Sequence, residues 1–147
     1  MPPDVEICWL HDDNRNLIEK ADIELFDNPI KPEELDRFLA SPTHHMGMAV
    51  ADGVLIGFIS AVEHFHPDKA PELFLSELSV LPNHRRRGIA KALVEALLDF
   101  GARRGGVHVW VLTETDNEAA AATYSSVRDV IRQERPAMFG WDLEPSF

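Results

Sequence analysis

Residues 78–93, LSVLPNHRRRGIAKAL, connect an apolar segment of alternating pattern to an apolar helical stripe through a short basic turn. The segment before the turn, 71–81, alternates between two sets of side chains and is bounded by prolines, which predicts a strand. One set is Leu73, Leu75 and Glu77, and the other is Phe74, Ser76 and Leu78. After Gly88, apolar residues recur at helical spacing: Ile89, Leu93, Ala96, Leu97 and Phe100. The stretch therefore predicts a strand, a turn and a helix in that order.

The turn has the chemistry of an anion site. A helix that starts directly after it leaves the amides of residues 85–90 without intrahelical acceptors, and the helix dipole adds about half a positive charge there. Gly88 has no Cβ and Ala90 has a small one, so an anion can approach the backbone closely. The turn lacks the Gly-Lys-Ser/Thr ending of a P-loop and the G-x-G-x-x-G pattern of a dinucleotide site. The alternative is a basic turn that only caps its helix.

The distribution of charge favours a compact anion over a nucleic acid. The chain has a net charge of −11, whereas residues 81–104 alone carry +4. Repulsion between the acidic remainder and a polyphosphate would oppose nucleic-acid binding. The acidic remainder either attracts a cationic second substrate or is a solvated surface that maintains solubility.

The flanking patterns predict a mixed α/β domain that spans residues 1–147. A strand at 107–113 follows the helix, which makes the basic turn part of a β-α-β unit with ligands expected at the carboxyl end of its first strand. Asp52-Gly53 between two apolar runs predicts a hairpin. The other predicted elements are strands at 5–10, 46–51, 54–64 and about 137–143, and helices within 12–26, at 32–40 and at 117–126, the last capped by Asn117.

Several alternative sites are disfavoured. No apolar run approaches the length of a membrane span, and the first ten residues lack the pattern of a signal peptide, so we expect a cytoplasmic protein that binds neither membrane nor nucleic acid. Cys8 lies in an apolar stretch and is expected to be a buried filler. The pairs His44-His45 and His64-x-His66 have no well-spaced third ligand, so we predict no metal and expect His64 or His66 to line an acceptor pocket.

The turn and a second motif together resemble a known family. Leu78-x-Val80-x-Pro82 followed by Arg85-x-x-Gly88-x-Ala90 is similar to motif A of the GNAT superfamily of acyl-CoA-dependent N-acetyltransferases. Members also carry Asn-x-x-Ala-x-x-x-Tyr on the next helix, and this chain has Asn117, Ala120 and Tyr124 at those spacings.

The resemblance implies the GNAT fold, a mixed and mostly antiparallel sheet with helices on both faces. It also implies acetyl-CoA as cosubstrate and a homodimer. The pyrophosphate is then expected on the amides of Arg85, Arg86, Arg87, Gly88, Ile89 and Ala90. The pantetheine arm is expected along the backbone of Leu78, Ser79 and Val80, with Asn117, Ala120 and Tyr124 completing the donor site.

Residues from about 46 to 146 resemble the aminoglycoside 3-N-acetyltransferases of the superfamily. That resemblance implies a small polycationic amine as acceptor. Arg128 and Asp129 stand where many members have Gly-Phe, which is a departure from the pattern. The alternatives are an acetyltransferase of protein lysines or N-termini, and a non-catalytic acyl-CoA-binding sensor.

Acetyl transfer to an amine needs a base for the ammonium and an acid for the departing sulfur. Glu77 and Glu114 are the candidate bases because both are expected toward the carboxyl ends of the strands that flank the pantetheine. Tyr124 is the candidate acid in the family pattern. The alternatives are solvated strand-end carboxylates and a core tyrosine.

Overall fold

The computed structural model describes residues 1–106 and 108–143, which fold around a five-stranded sheet. The strands, in chain order and in spatial order, are β1 (Val5–Trp9), β2 (His44–Ala51), β3 (Val54–His64), β4 (Glu72–Val80) and β5 (His108–Trp110). The first four pair antiparallel, and β4 pairs with β5 in parallel. This is the mixed, mostly antiparallel sheet that the sequence predicts.

Helices pack on both faces of the sheet. They are α1 (Asn16–Glu19), α2 (Pro32–Ala40), α3 (Ile89–Arg103) and α4 (Glu118–Ser125). On the face covered by α1 and α2, called the α2 face, Phe26 stacks on Phe58 of β3 at a centroid distance of 4.5 Å. On the opposite α3 face, Leu93 lies 3.6 Å from the position that a Cβ on Gly57 would take. Among the helices of the described residues, none is long and apolar enough to cross a membrane.

The hairpin and the β-α-β unit form as predicted. Ala51 pairs with Val54 across a two-residue loop, in which Asp52 and Gly53 both have positive φ, at 51° and 73°. Positive φ at both positions defines a type I′ turn, which Asp-Gly favours. The helix at 32–40 also has the predicted bounds, with Pro32 in its first turn.

The strand β4 contains a bulge that the alternating pattern conceals. Ser60 of β3 pairs with Glu77, and the next residue, Ala61, pairs with Leu75. Ser76 is therefore the extra residue of a β-bulge, and the facing alternation reverses beyond it. The expectation that Glu77 shares a face with Leu75 is wrong: Glu77 stands beside Ser60 on the α2 face.

The predicted helix within 12–26 is broken into three short pieces. They are a 3₁₀ turn at Asp12–Asn14, α1, and a second 3₁₀ turn at Ile23–Leu25. The Asp22 carboxylate accepts a hydrogen bond from the Glu24 amide at 2.9 Å, and the Asn14 side chain accepts one from the His11 amide at 2.8 Å. Such local bonds to the backbone compete with a continuous helix.

The last predicted strand is wrong, and the one before it is shorter than predicted. The segment 137–143 is in no strand, and Trp141 within it is 82% exposed, whereas Trp9 and Trp110 do lie in strands. Apolar and aromatic residues favour a strand that is packed against other residues, but a strand forms only where the edge of a neighbouring strand accepts its hydrogen bonds. The strand predicted at 107–113 is β5 over its first described residues only.

Candidate active site

The strands β4 and β5 separate at the middle of β4. Their parallel ladder joins Glu72–Phe74 to His108–Trp110 and ends there. The side of β4 that faces β5 therefore has no ladder partner from residue 75 to residue 80 within the described chain. Backbone groups without partners at a strand edge can bind an extended ligand. Leu78, Ser79 and Val80, predicted to meet the pantetheine, lie on this open edge.

The basic turn is fixed to the end of β4 by its own first arginine. A 3₁₀ turn at Pro82–His84 follows the strand, and the Arg85 Nε donates a hydrogen bond to the Val80 carbonyl at 3.0 Å. Arg85 therefore braces the turn, a role that its position in the motif did not reveal.

The backbone after Arg85 forms a concave surface of amides. Arg86 and Gly88 both have positive φ, at 62° and 81°. The first helical hydrogen bond runs from the Ala92 amide to the Gly88 carbonyl at 3.0 Å, and within the described chain the amides of residues 89–91 have no backbone acceptor. A Cβ at Gly88 would meet only the backbone of Met1, at 3.7 Å. The open amides and the bare glycine fit a phosphate group.

The left-handed conformation of Arg86 is energetically unfavourable, which indicates that the surrounding turn requires it. A residue with a side chain typically loses about 1–3 kcal/mol in such a conformation, and it persists where the surroundings require it. Arg86 and Arg87 are exposed and make no ion pair within the described part of the chain. Their charges are therefore available to an anion at the turn.

Glu77 occupies the α2 face beside the open edge of β4. Partial burial raises the pKa of its carboxyl group, and the nearby carboxylate of Asp27 raises it further. Asp27 lies in the loop between α1 and α2, and sequence reasoning missed it. No sequence signal could have found it, because its effect on Glu77 depends on how that loop crosses the sheet. A carboxyl group with a raised pKa is a stronger base, which suits proton abstraction from an ammonium.

Tyr124 lies on the other side of the sheet. It is on α4, which packs against α3, and its half-buried ring contacts the core. Burial raises the pKa of its phenol above the ordinary value, and a phenol is protonated at neutral pH in either case. The structure thus places the Glu77 carboxyl group on the α2 face and Tyr124 on the side of the sheet that α3 covers.

Glu114, the other candidate base, is less well placed for that role than Glu77. It lies in the exposed loop four residues beyond β5, where its carbonyl accepts a hydrogen bond from the Asn117 amide at 3.1 Å. Its carboxylate has no hydrogen-bond or ion-pair partner in the described residues. Asn117 caps α4 as predicted, by accepting a hydrogen bond from the Ala120 amide at 3.1 Å. These two residues build the start of the helix that carries Tyr124.

The histidines predicted to line an acceptor pocket lie at the opposite end of β4 from Glu77. His64 pairs with Glu72, and His66 contacts the Glu72 carboxylate at 3.3 Å. Their role at an acceptor pocket stays a prediction. Within the described ranges, no three potential metal ligands come together.

A buried ionic cluster that sequence reasoning missed fixes the end of α3. Glu63, which is 8% exposed, contacts the His45 Nε2 at 2.5 Å and the guanidinium of Arg104 at 2.8 Å. The Phe100 ring packs on His45 at 4.7 Å and lies under the Arg104 guanidinium. An acid inside the apolar run 54–64 was its one sequence signal. Removal of one partner would leave a buried charge uncompensated, so we regard the cluster as a structural clamp.

Comparison with known proteins places these features in context. The model of the acetyltransferase (GNAT) family matches residues 9–127, which include the open edge of β4, the turn, α3 and Tyr124. An N-alpha-acetyltransferase RimI of Mycobacterium tuberculosis is 36% identical over 108 residues, or 74% of this chain and 66% of that protein. An aminoglycoside N(6')-acetyltransferase of Salmonella typhimurium is 42% identical over 62 residues, or 40% of this chain and 43% of that protein. The chain therefore matches less than two thirds of the length of these relatives.

Solved structures agree on the fold. An aminoglycoside acetyltransferase from an uncultured soil metagenomic sample, in complex with sisomicin, superposes with a TM-score of 0.84 at 21% identity, covering 96% of this chain and 97% of that one. The aminoglycoside N-acetyltransferase AAC(6')-Iy in complex with CoA superposes with a TM-score of 0.78 at 22% identity, covering 96% and 99%. Because the family match spans the turn, the separated strands and the tyrosine helix described above, the chain belongs to the GNAT family of acetyltransferases.

Proposed function

We propose that this protein transfers acetyl from acetyl-CoA to a primary amine of a small polycationic acceptor of the aminoglycoside type. The observation that carries the proposal is the position of Glu77, a carboxylate of raised pKa beside the gap between β4 and β5. Tyr124, a phenol that is neutral at pH 7 and whose pKa burial raises, lies on the opposite side of the sheet. Acetyl transfer needs one group that accepts a proton and one that donates a proton, and we assign these roles to Glu77 and Tyr124.

The donor is bound by backbone at two places. The amides at the start of α3, with Arg86 and Arg87 beside them, would hold the pyrophosphate. The open edge of β4 from Val80 back to Leu78 would hold the pantetheine arm. At about 3.3 Å per residue, Glu77 lies roughly 10 Å from the end of the strand, so the reactive end of the arm reaches the bulge.

The chemistry then needs two proton transfers. Acetyl-CoA supplies the acetyl group as a thioester. Glu77 accepts the proton that the acceptor nitrogen loses as the carbon–nitrogen bond forms, directly or through a water molecule. Tyr124 donates a proton to the sulfur as the carbon–sulfur bond breaks. Each transfer typically contributes about 10²–10⁴-fold, and positioning of the two substrates contributes more.

The acceptor side is acidic. The first 45 residues, which cover the α2 face, hold eleven acids and four lysines or arginines. Such a field attracts cations toward Glu77. The relative from S. typhimurium is an N(6')-acetyltransferase, and the 3-N position that the sequence resemblance implies stays a prediction. A second candidate acceptor is the N-terminal amine of a protein, which the 36% identity to an N-alpha-acetyltransferase favours.

A negative charge at the turn should weaken donor binding. We expect Gly88→Asp to weaken acetyl-CoA binding by about tenfold or more, since it places a carboxylate among the amides and near the phosphates. Thermal stabilisation by acetyl-CoA measures the effect. Gly53→Asp is the matched control, because Gly53 also has a positive φ but lies in the β2–β3 turn. Undiminished stabilisation of Gly88→Asp would show that the donor site is misplaced.

The acid limb of the pH–rate profile should depend on Asp27. The base must be deprotonated, so kcat/KM falls as the pH drops through the raised pKa of Glu77. In Asp27→Asn the like charge is gone, this pKa falls, and the limb moves to lower pH. Asp68→Asn, an exposed carboxylate in the loop after β3, should leave the limb in place. An unmoved limb in Asp27→Asn would contradict the assignment of Glu77 as the base.

The loss of either catalytic group should slow turnover without loss of fold. We expect Tyr124→Phe, which keeps the packed ring, and Glu77→Gln each to lower kcat by about 10²-fold or more. Steady-state kinetics would be measured beside the melting temperature and acetyl-CoA binding, which should change little. Full turnover in both variants would refute the assigned roles.

The acceptor class can be identified by a thiol-release screen with acetyl-CoA against aminoglycosides, polyamines and basic peptides. We expect the highest kcat/KM with an aminoglycoside. Turnover confined to peptides would favour the protein N-terminal or lysine alternative instead. Thermal stabilisation by acetyl-CoA without any thiol release would favour the non-catalytic sensor.

A further inference from the structure

The helix α4, which carries Tyr124, has little buried surface of its own. None of its residues is buried, and the Tyr124 ring is half-buried. The first buried residue lies just after the helix, where Val127 is 7% exposed. Most helical stability in proteins comes from packing of an apolar face, so the attachment of α4 depends strongly on the segment that follows it.

An ion pair ties the segment after α4 to α3. The Arg128 Nη2 donates a hydrogen bond to the Asp99 Oδ1 at 2.7 Å, and Asp99 lies in α3, the helix against which α4 packs. The Val127 amide donates a hydrogen bond to the Tyr124 carbonyl at 3.2 Å. The residue next to the ion pair is therefore bonded directly to the backbone of the tyrosine, and a displacement of Arg128 would displace the last turn of α4.

The Tyr124 hydroxyl has no contact that fixes it directly. Its oxygen is not buried, and no hydrogen bond joins it to another group in the part of the chain that the structure describes. Its place is therefore set by the packing of the ring and by the backbone of α4. The position matters for catalysis, because a displacement of about 1 Å can cost roughly 10²-fold in rate.

We propose that Arg128 and Asp99 are positioning residues, whose ion pair holds the end of α4 and thereby holds Tyr124 where it serves as the acid. The inference rests on the proposed acetyl transfer. The tie belongs to this chain and not to the family pattern, because Arg128 stands where many members have a glycine, which has no side chain to pair with Asp99.

Steady-state kinetics of Arg128→Gln and Asp99→Asn test the proposal. Both side chains are about half exposed, at 49% and 56%, so loss of the pair should leave the melting temperature and acetyl-CoA binding almost unchanged. We expect kcat to fall about fivefold or more in both variants while KM for the acceptor stays within about twofold. The substitutions remove opposite charges, so a purely electrostatic effect on the departing sulfur would change kcat in opposite directions. Opposite changes, or an unchanged kcat in both variants, would overturn the proposal.

A double variant and a matched control make the kinetic test specific. If the two residues act as a pair, the double variant loses no more kcat than either single variant, whereas losses that multiply would overturn the proposal. Arg132→Gln is the control, because the Arg132 Nε contacts the Glu134 carboxylate at 2.9 Å with a similar exposure of 52%, but both residues lie in the segment after α4. It should retain full kcat, and a loss equal to that of Arg128→Gln would overturn the proposal.

The position of the phenol can also be measured without activity, because Tyr124 is the only tyrosine in the sequence. Protein labelled with ¹³C-tyrosine therefore gives the ring signals of one residue. Their relaxation by a neutral, soluble gadolinium chelate should increase by about twofold or more in Arg128→Gln and Asp99→Asn, since the end of α4 is released, and stay unchanged in Arg132→Gln. Unchanged relaxation in the first two variants would overturn the proposal. If no amine releases thiol from acetyl-CoA, the proposed function fails, and this measurement still decides whether the ion pair positions Tyr124.

Discussion

The bulge at Ser76 determines which side of the sheet can carry the chemistry. Without it, Glu77 would follow Leu73 and Leu75 onto the face that α3 covers, and its carboxylate would be buried against apolar side chains. With one extra residue in β4, Glu77 stands beside Ser60 on the α2 face, where the carboxylate of Asp27 acts on its pKa. The same strand loses its partner β5 at this point, so the open backbone edge and the carboxylate occur together. The proposed acceptor and donor sites therefore share a boundary at the middle of β4.

The second requirement is an anion site in a chain of strongly negative charge. The sequence predicts an anion site built on backbone amides, and the first arginine of the turn, Arg85, donates from its Nε to the Val80 carbonyl within the protein. The backbone supplies the rest through two left-handed residues and a run of free amides at the start of α3. A site of this kind is rigid, and it is compact enough to coexist with the acidic face that would attract a cation. In the proposed function, the negative remainder of the chain attracts the acceptor and the positive turn binds the donor.

Local signals predicted much of the fold, and the failures have physical causes. Asp52-Gly53, Pro32 and the apolar stripe after Gly88 each act within a few residues, and the elements they predict are present. The bulge was hidden because alternation continues through it with similar residue types. The effect of Asp27 on Glu77 and the Glu63 cluster depend on contacts between distant segments, which one sequence does not reveal. At 137–143 the apolar composition predicted a strand, but no strand forms there and Trp141 is exposed.

The proposed acetyl transfer depends most on binding of the pyrophosphate by backbone amides at the start of α3. Amide chemical shifts of ¹⁵N-labelled protein, followed during titration with coenzyme A and separately with pantetheine, test this binding directly. Pantetheine has the arm but no pyrophosphate. We expect the amides of Gly88, Ile89 and Ala90 to shift with coenzyme A and not with pantetheine, while those of Leu78 to Val80 shift with both. Equal shifts of the turn with both ligands, or no shift there with coenzyme A, would contradict it.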